Sequence, residues 1–301
     1  MINKTLIAIV GPTAIGKTAL AIGIAKAFDT EIISADSRQF FKEMCIGTAV
    51  PSKEELSRIK HHFIQHISIV DHYSVGDFEK EAIHCLNELF KTKDVVVLVG
   101  GSGLYVDAIT KGLDSFPTVS DSIKKSLQKE LKQKGIIYLQ QRLKELDPSY
   151  YYEVDLENPM RVLRALGVCL AEGKPYSSYK GKSIAQRPFN TLTIGIEAPR
   201  PKIYQRIEDR VDIMINEGLV QEAESLYPYK NLNALNTVGY KELFAYMDHE
   251  YTLDTAIDEI KKNTRRFAKR QGTWFRKNQN IRWVNWEHAL QESLSFLHQQ
   301  L

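Results

Sequence analysis

Residues 5–10 read Thr-Leu-Ile-Ala-Ile-Val, with no polar side chain from Leu6 to Val10. An unbroken apolar run of that length, stopped by Gly11 and Pro12, predicts a strand buried on both faces. Residues 31–35 (Glu-Ile-Ile-Ser-Ala) and 94–99 (Asp-Val-Val-Val-Leu-Val) repeat the pattern. Between these runs the period changes to three and four, predicting helices over 19–28, 52–62 and 75–90 and hence a parallel α/β sheet. From about 115 to 187 the strand signal disappears. Lys, Gln, Glu, Leu and Tyr at helical spacing, punctuated by Pro148, Pro159, Pro175 and Pro188, read as a helical insertion. The strand pattern returns at 191–197, Pro199 and Pro201 open a helix over 202–226, a further helix covers 253–277, and 281–284 is a short last strand.

With 301 residues, 43% hydrophobic and 26% charged, the chain has the makeup of a globular protein of one or two domains. No apolar run approaches the ~20 residues of a membrane helix, so no membrane is expected and the cytoplasm is the expected location. Cys45, Cys85 and Cys169 are widely spaced and read as reduced core thiols. The net charge of +3 conceals a division: residues 261–282 hold nine Lys and Arg and no acid, leaving 31 basic against 37 acidic residues elsewhere. One basic block on an acidic body points to a polyanion, nucleic acid above all.

The first apolar run leads into Gly11-Pro12-Thr13-Ala14-Ile15-Gly16-Lys17-Thr18, which fits the phosphate-loop pattern G-x-x-x-x-G-K-[ST]. Gly11, Thr13 and Gly16 belong to a loop whose N–H groups converge on phosphate oxygens, Lys17 adds a point charge, and Thr18 offers a hydroxyl to Mg²⁺. A plain glycine turn between strand and helix is the bland alternative. Asp36 closes the second strand at the same sheet edge, as a base, a magnesium partner or a simple cap. Gly100-Gly101-Ser102-Gly103 forms a second glycine loop, in which Ser102 is either a functional hydroxyl or a turn residue. In the basic block, Ile257, Ile260, Thr264, Phe267, Gln271 and Trp274 form a mostly apolar stripe, leaving Arg265, Arg266, Lys269, Arg270 and Arg276 to meet phosphates or solvent. Trp274 and Phe275 read as core. His61, His62 and His66 lack an acidic fourth ligand at metal spacing and read as structural.

Taken together, these segments resemble the bacterial tRNA dimethylallyltransferases over nearly the whole chain. The resemblance is carried by Gly11 to Thr18, Asp36-Ser37-Arg38-Gln39, His61-His62-Phe63, Gly100 to Tyr105, Asn158-Pro159 with 161–166, Arg210-Val211-Asp212, Val238-Gly239-Tyr240-Lys241-Glu242 and Lys269 to Arg276. Three positions depart from the family pattern: Phe41 for Tyr, Ser102 for Thr, and Gln65 for Asp.

The resemblance implies a P-loop NTPase-like parallel-sheet core over 1–114 and 188–301, with a tRNA-contacting helical insertion over 115–187. It also implies transfer of a dimethylallyl group from dimethylallyl diphosphate to N6 of adenosine 37 beside the tRNA anticodon. Asp36 would be the general base, Arg210 and Ser102 would act with it, and Mg²⁺ near Thr18 would serve the diphosphate. Ser37, Arg38 and Gln39 would read the extruded base, while Met160, Arg161, Arg164, Asn236, Gly239, Tyr240, Lys241, Lys269, Arg270, Gln271, Thr273, Trp274 and Arg276 would hold the anticodon stem-loop. A monomer is expected. The alternatives are an isopentenyltransferase acting on free adenine nucleotides, a small-molecule kinase using the same loop for ATP, and a non-catalytic RNA-binding module.

Overall fold

A six-residue strand, β1 (Thr5–Val10), is buried at every position. In this computed structural model, which describes residues 4–181 and 186–301, the chain continues through α1 (Lys17–Ala27), β2 (Ile32–Ser34), α2 (Lys53–Arg58), β3 (His61–His62), α3 (Val75–Leu89), β4 (Val95–Val99) and α4 (Gly103–Thr110). There follow α5 (Asp121–Leu146), α6 (Pro148–Tyr151) and α7 (Pro159–Glu172). The sheet resumes with β5 (Asn190–Glu197), then come α8 (Arg200–Asn216), α9 (Leu219–Leu226), α10 (Tyr240–Met247), α11 (Leu253–Phe275), β6 (Ile281–Asn285) and α12 (Ala289–Gln300). Residues 182–185 of the predicted insertion lie outside the described residues.

Among the described residues, six strands form one parallel sheet in the order β3-β2-β4-β1-β5-β6. Period-two alternation sends Leu6, Ala8, Val10, Val96 and Leu98 to a face shared with Phe78, Ala82 and Leu86 of α3. Ile7, Ile9, Val95, Val97 and Val99 go to the opposite face, against Leu20, Ala21 and Ile24 of α1. Both faces are covered, which is why β1 and β4 tolerate no polar position at their centres. A third apolar cluster joins α8, α9, α10 and α11 through Val211, Leu219, Leu243 and Ile260.

The chain folds as two compact units, Met1–Thr110 with Arg187–Leu301, and Lys111–Gln186. Inside the second unit α5 packs on α7 around Leu139, Leu143, Val162 and Leu166. Gly135 interrupts α5 with a non-helical φ of 76°. Asn158 caps the Arg161 amide, and Pro159 occupies the first turn of α7, where its missing N–H removes no hydrogen bond.

Several expectations need correction. The predicted helix over 52–62 ends at Arg58, because Ile59 turns extended and His61 and His62 pair beside Ile32 and Ile33. The single helix over 202–226 is two: Gly218 adopts φ 103°, a left-handed conformation that glycine takes without Cβ strain, and the chain restarts as α9. α4, α10 and α12 carried no clear period and were not anticipated. Cys45 is exposed; Cys169 is buried, as a core thiol should be. The apolar stripe of α11 is rotated near its C-terminal end: Ala268, Gln271 and Phe275 are buried, while Phe267 and Trp274 are 38% and 40% exposed.

The three departures from the family pattern have local accounts. Phe41 is buried among Met44 and Tyr240, so its site is apolar. Gln65 donates from Nε2 to the Lys42 carbonyl at 3.1 Å. Ser102 retains its hydroxyl and meets Ser37.

Candidate active site

Because the strands are parallel, the segments following β1, β2 and β4 emerge at one sheet edge, with β4 lying between the other two. That edge is where ligands of open α/β sheets collect. The segment after β1 is the phosphate loop. It ends at Gly16, the N-cap of α1, whose first-turn amides receive no side-chain cap. Uncapped amides and the positive end of the helix dipole suit an anion. Lys17 Nζ rests on the Pro12 carbonyl at 2.8 Å. Burial lowers the Lys17 pKa to about 8, the Asp36 carboxylate opposing that shift and Arg210 adding to it.

Asp36 follows β2 by two residues and accepts the Arg38 backbone N–H at 3.2 Å. Burial raises its pKa above the usual carboxylate value, while Lys17, the Arg38 amide, the Arg38 side chain and Arg210 pull it back. Asp36 is therefore a carboxylate made more basic by its surroundings and held among cations. Ser37 N donates to Ser102 Oγ at 3.2 Å, and the two hydroxyls also lie 3.2 Å apart.

Two cavities meet at Asp36. One, of about 720 Å³, is bordered by Thr13, Gly16, Lys17 and Thr18 together with Gln39 and Arg206. The other, of about 570 Å³, is bordered by Ser37, Ser102, Asn236, Gly239, Lys241 and Trp274. Thr13, Asp36 and Arg210 line both. An anion in the first cavity and a second reactant in the other would thus share a wall carrying one base and one guanidinium.

α11 braces this arrangement. Gln271, only 6% exposed, accepts the Thr13 amide at 2.8 Å and donates to the Gly101 carbonyl at 2.9 Å, tying the two glycine loops together. Gly103 is required beside it, since a Cβ there would stand 2.3 Å from the Trp274 ring. Gln271→Leu leaves the buried Gly101 carbonyl and the part-buried Thr13 amide without their partner, and is expected to lower stability by about 1–3 kcal/mol and to weaken diphosphate binding. Thermal unfolding and titration with inorganic diphosphate measure the two effects.

Not every predicted residue faces a cavity. Gly11 packs against β5, with the Ile196 carbonyl 3.0 Å from where a Cβ would be. Arg38 borders the second cavity, but its guanidinium donates to the carbonyls of Asn233 and Ala234 at 3.1 and 2.8 Å. Gln39 spends its amide on the carbonyls of Thr48 and Ala49. Tyr240 is fully buried with its hydroxyl on Glu222, and Gln271 is a brace, so both are placed to support the site from within. Arg270 lines the second cavity. Lys269, Thr273 and Arg276 are exposed on or just beyond α11 and line neither. Arg265 is paired with Glu208 at 2.6 Å, so the free basic face is narrower than the charge run suggests. Trp274 is no core residue: its Nε1 donates to Asp107 at 2.9 Å and its ring borders the second cavity. Met160, Arg161 and Arg164 are exposed on α7 of the second unit, Met160 at 70%.

Of the histidines, His62 Nε2 meets Glu31 at 2.6 Å, and His66 lies among Phe40, Phe63 and Tyr73. No group of three His, Cys, Asp or Glu residues able to hold a metal occurs among the described residues. Arg206 is as defensible on sequence alone as Arg210, and it too reaches the first cavity. Its Nε donates to the Ala14 carbonyl at 2.7 Å, its guanidinium lies over Trp286, and it borders the first cavity. It stands one turn before Arg210 on α8, and that i, i+4 spacing was the available signal.

Donor-side anion affinity is expected to fall as pH rises through about 8, because Lys17 loses its proton there. In Lys17→Arg the cation stays charged throughout. Calorimetric titration with inorganic diphosphate, comparing the two proteins across that range, isolates this contribution from the titration of diphosphate itself.

A parallel sheet with a phosphate loop after β1 and a carboxylate after β2 defines an α/β protein of the P-loop NTPase-like class, here with a second cavity abutting the anion site. Within that class the chain belongs to the IPP transferase family, whose match runs over residues 39–278. It is 57% identical over 299 residues to the tRNA dimethylallyltransferase of Christiangramia forsetii, covering 99% of both chains. Among solved structures it is similar to the tRNA isopentenylpyrophosphate transferase of Bacillus halodurans, with a TM-score of 0.73 and 34% identity, covering 98% of this chain and 96% of that one. It also resembles a eukaryotic dimethylallyltransferase acting on tRNA, with a TM-score of 0.81 and 25% identity, covering 94% of this chain and 74% of the other. No helix among the described residues is long and apolar enough to cross a membrane.

Proposed function

We propose that the protein transfers a dimethylallyl group from dimethylallyl diphosphate to N6 of adenosine 37 beside the tRNA anticodon, releasing diphosphate. One observation carries this reading: Asp36 and Arg210 stand in the wall common to a phosphate-loop cavity and a second cavity bordered by polar and aromatic groups. The names of relatives covering nearly the whole chain support the same substrates.

In this reading the diphosphate lies against the phosphate-loop amides and Lys17, and the adenine enters the second cavity. An adenine stacked in an anticodon loop is out of reach of such a site, so the nucleotide leaves the stack first. The N6 lone pair forms a bond to the allylic carbon while the bond from that carbon to the diphosphate oxygen breaks. Asp36 accepts the proton released from N6. Lys17, Arg210 and the α1 N-terminus stabilise the charge growing on the leaving group, using dipoles and cations already in place. Ser102 and Ser37 hold the segment after β2 against the second glycine loop and offer hydroxyls at the acceptor side.

Magnesium commonly binds through one or two protein oxygens plus phosphate oxygens and water. The Thr18 hydroxyl, at the first turn of α1 and bordering the first cavity, fits that mode. Mg²⁺ there would neutralise diphosphate charge.

Tethering the RNA falls to exposed cations. Reversing Arg266, Lys269 and Arg270 together to glutamate is expected to weaken tRNA binding and to flatten its dependence on salt, since fewer counterions are exchanged. Filter binding across a salt series checks it; unchanged affinity and slope would remove α11 from the interface.

The direct test mixes the protein with unmodified tRNA, dimethylallyl diphosphate and magnesium, measuring diphosphate release and the mass of the modified nucleoside. Phosphorus moved onto an acceptor, or AMP preferred over tRNA as acceptor, would overturn the reading in favour of a kinase or a free-nucleotide enzyme.

A further inference from the structure

Residues 45–49 belong to no helix or strand, yet they wall both cavities: Cys45 and Ile46 border the first, Gly47 the second, and Thr48 and Ala49 both. The turn is closed locally, with the Ala49 N–H on the Ile46 carbonyl at 2.9 Å and the Thr48 hydroxyl on the Met44 carbonyl at 2.6 Å. Ala49 sits at φ 51°, a conformation that non-glycine residues rarely adopt unless surrounding contacts impose it. The contacts that anchor the start of this turn to the rest of the protein come from far along the chain. Three consecutive amides, those of Cys45, Ile46 and Gly47, donate to the carboxylate of Glu222 on α9 at 3.0, 2.8 and 2.9 Å. The same carboxylate accepts the Tyr240 hydroxyl at 2.7 Å. The Tyr240 ring is fully buried and so close to Gly47 that a Cβ there would lie 2.7 Å away. From the opposite side, Gln39 Nε2 donates to the carbonyls of Thr48 and Ala49 at 3.2 and 2.9 Å.

A carboxylate receiving four donors is a charge-assisted clamp, stronger and more directional than neutral hydrogen bonds. We propose that Glu222, together with Tyr240, is a positioning residue for the transfer: it fixes segment 45–49 as the partition that aligns the donor with Asp36 and screens its allylic carbon from water. This rests on the prenyl-transfer reading given above. Neither residue touches the reacting atoms; each acts through the partition. When the partition loosens, water competes with the adenine amine. The water oxygen then bonds to the allylic carbon, the carbon–oxygen bond to diphosphate breaks, diphosphate leaves, and the water proton passes to Asp36 or solvent, yielding an allylic alcohol.

The experiment compares wild type, Glu222→Gln and Tyr240→Phe well below the unfolding temperature of each. It measures the single-turnover transfer rate, the affinity for inorganic diphosphate, and the diphosphate released per prenyl group attached to tRNA. In Glu222→Gln the transfer rate is expected to fall by about tenfold to hundredfold, the scale of a modest misalignment of reactants. Diphosphate affinity should stay close to wild type, and diphosphate released should exceed prenyl groups attached. Tyr240→Phe keeps the ring against Gly47 and removes one of four donors, so it should shift the same two readouts in the same direction by less. A merely structural role would lower the unfolding temperature and leave rate and stoichiometry per folded molecule unchanged; that result in both variants overturns the proposal. If Glu222→Gln does not fold, Tyr240→Phe decides. Wild-type protein that attaches no prenyl group overturns the transfer reading itself and this proposal with it, whereas wild-type transfer with unaltered variants overturns the positioning role alone.

Discussion

Replacing Asp36 with alanine is expected to lower the single-turnover rate of prenyl transfer by roughly 10²- to 10⁴-fold, the usual contribution of a positioned general base, while donor affinity changes far less. The lone pair of an adenine amine is delocalised into the ring, so its proton must leave as the new bond forms. Asp36 is the carboxylate standing in the wall common to both cavities. Its role is separate from that of the phosphate-loop amides because of its place: it lies at the start of the segment after β2, whereas diphosphate contacts come from the segment after β1. Burial raises its pKa and the neighbouring cations oppose that rise. A base must be deprotonated to act, so the rate should increase with pH through a pKa above the ordinary aspartate value, and this limb should vanish in Asp36→Asn. Rapid-quench kinetics over an acidic pH series measure both points. A near-normal rate in Asp36→Ala would take the residue out of the mechanism.

The second large effect is expected at Arg210. Its guanidinium borders both cavities and interacts electrostatically with Lys17 and Asp36. Removing a preorganised donor aimed at developing charge typically costs about 10²- to 10³-fold in turnover. Arg210→Ala should therefore depress the transfer rate more than it weakens binding of intact donor, because the leaving group carries more charge in the transition state than in the ground state. Arg210→Lys should recover part of the loss, since it returns the charge without the planar fork. Equal losses in donor affinity and rate would instead make Arg210 a ground-state binding residue.

The core of the fold could be read directly from the chain. The runs of β1 and β4 are buried on both faces, so hydrophobicity alone marks them, and the strand-loop-helix order around Lys17 follows from the same reading. The phosphate loop, Asp36 and the second glycine loop all fall at strand ends, where parallel topology brings them to one edge. Long helices with strong periods, α3 and α11, were equally visible. α4, α10 and α12 were not, because helices of only eight to twelve residues carry little period of their own.

Sequence alone marked the buried strands, the phosphate-loop motif with its lysine, and Asp36 as a candidate base, because each depends on residues close together in the chain or on hydrophobic runs that have one stable burial. It did not determine which polar residues face a substrate. Arg38, Gln39, Tyr240 and Gln271 carry the same chemistry whether they meet RNA or hold the protein to itself, and only the tertiary structure assigns their hydrogen bonds to partners up to hundreds of positions away. The rotation of α11 that exposes Trp274 and buries Phe275, the pairing of Arg265 with Glu208, and the clamp of Glu222 on segment 45–49 were decided in the same way. A side chain's partner is set by packing between distant elements, and that packing is a property of the folded whole.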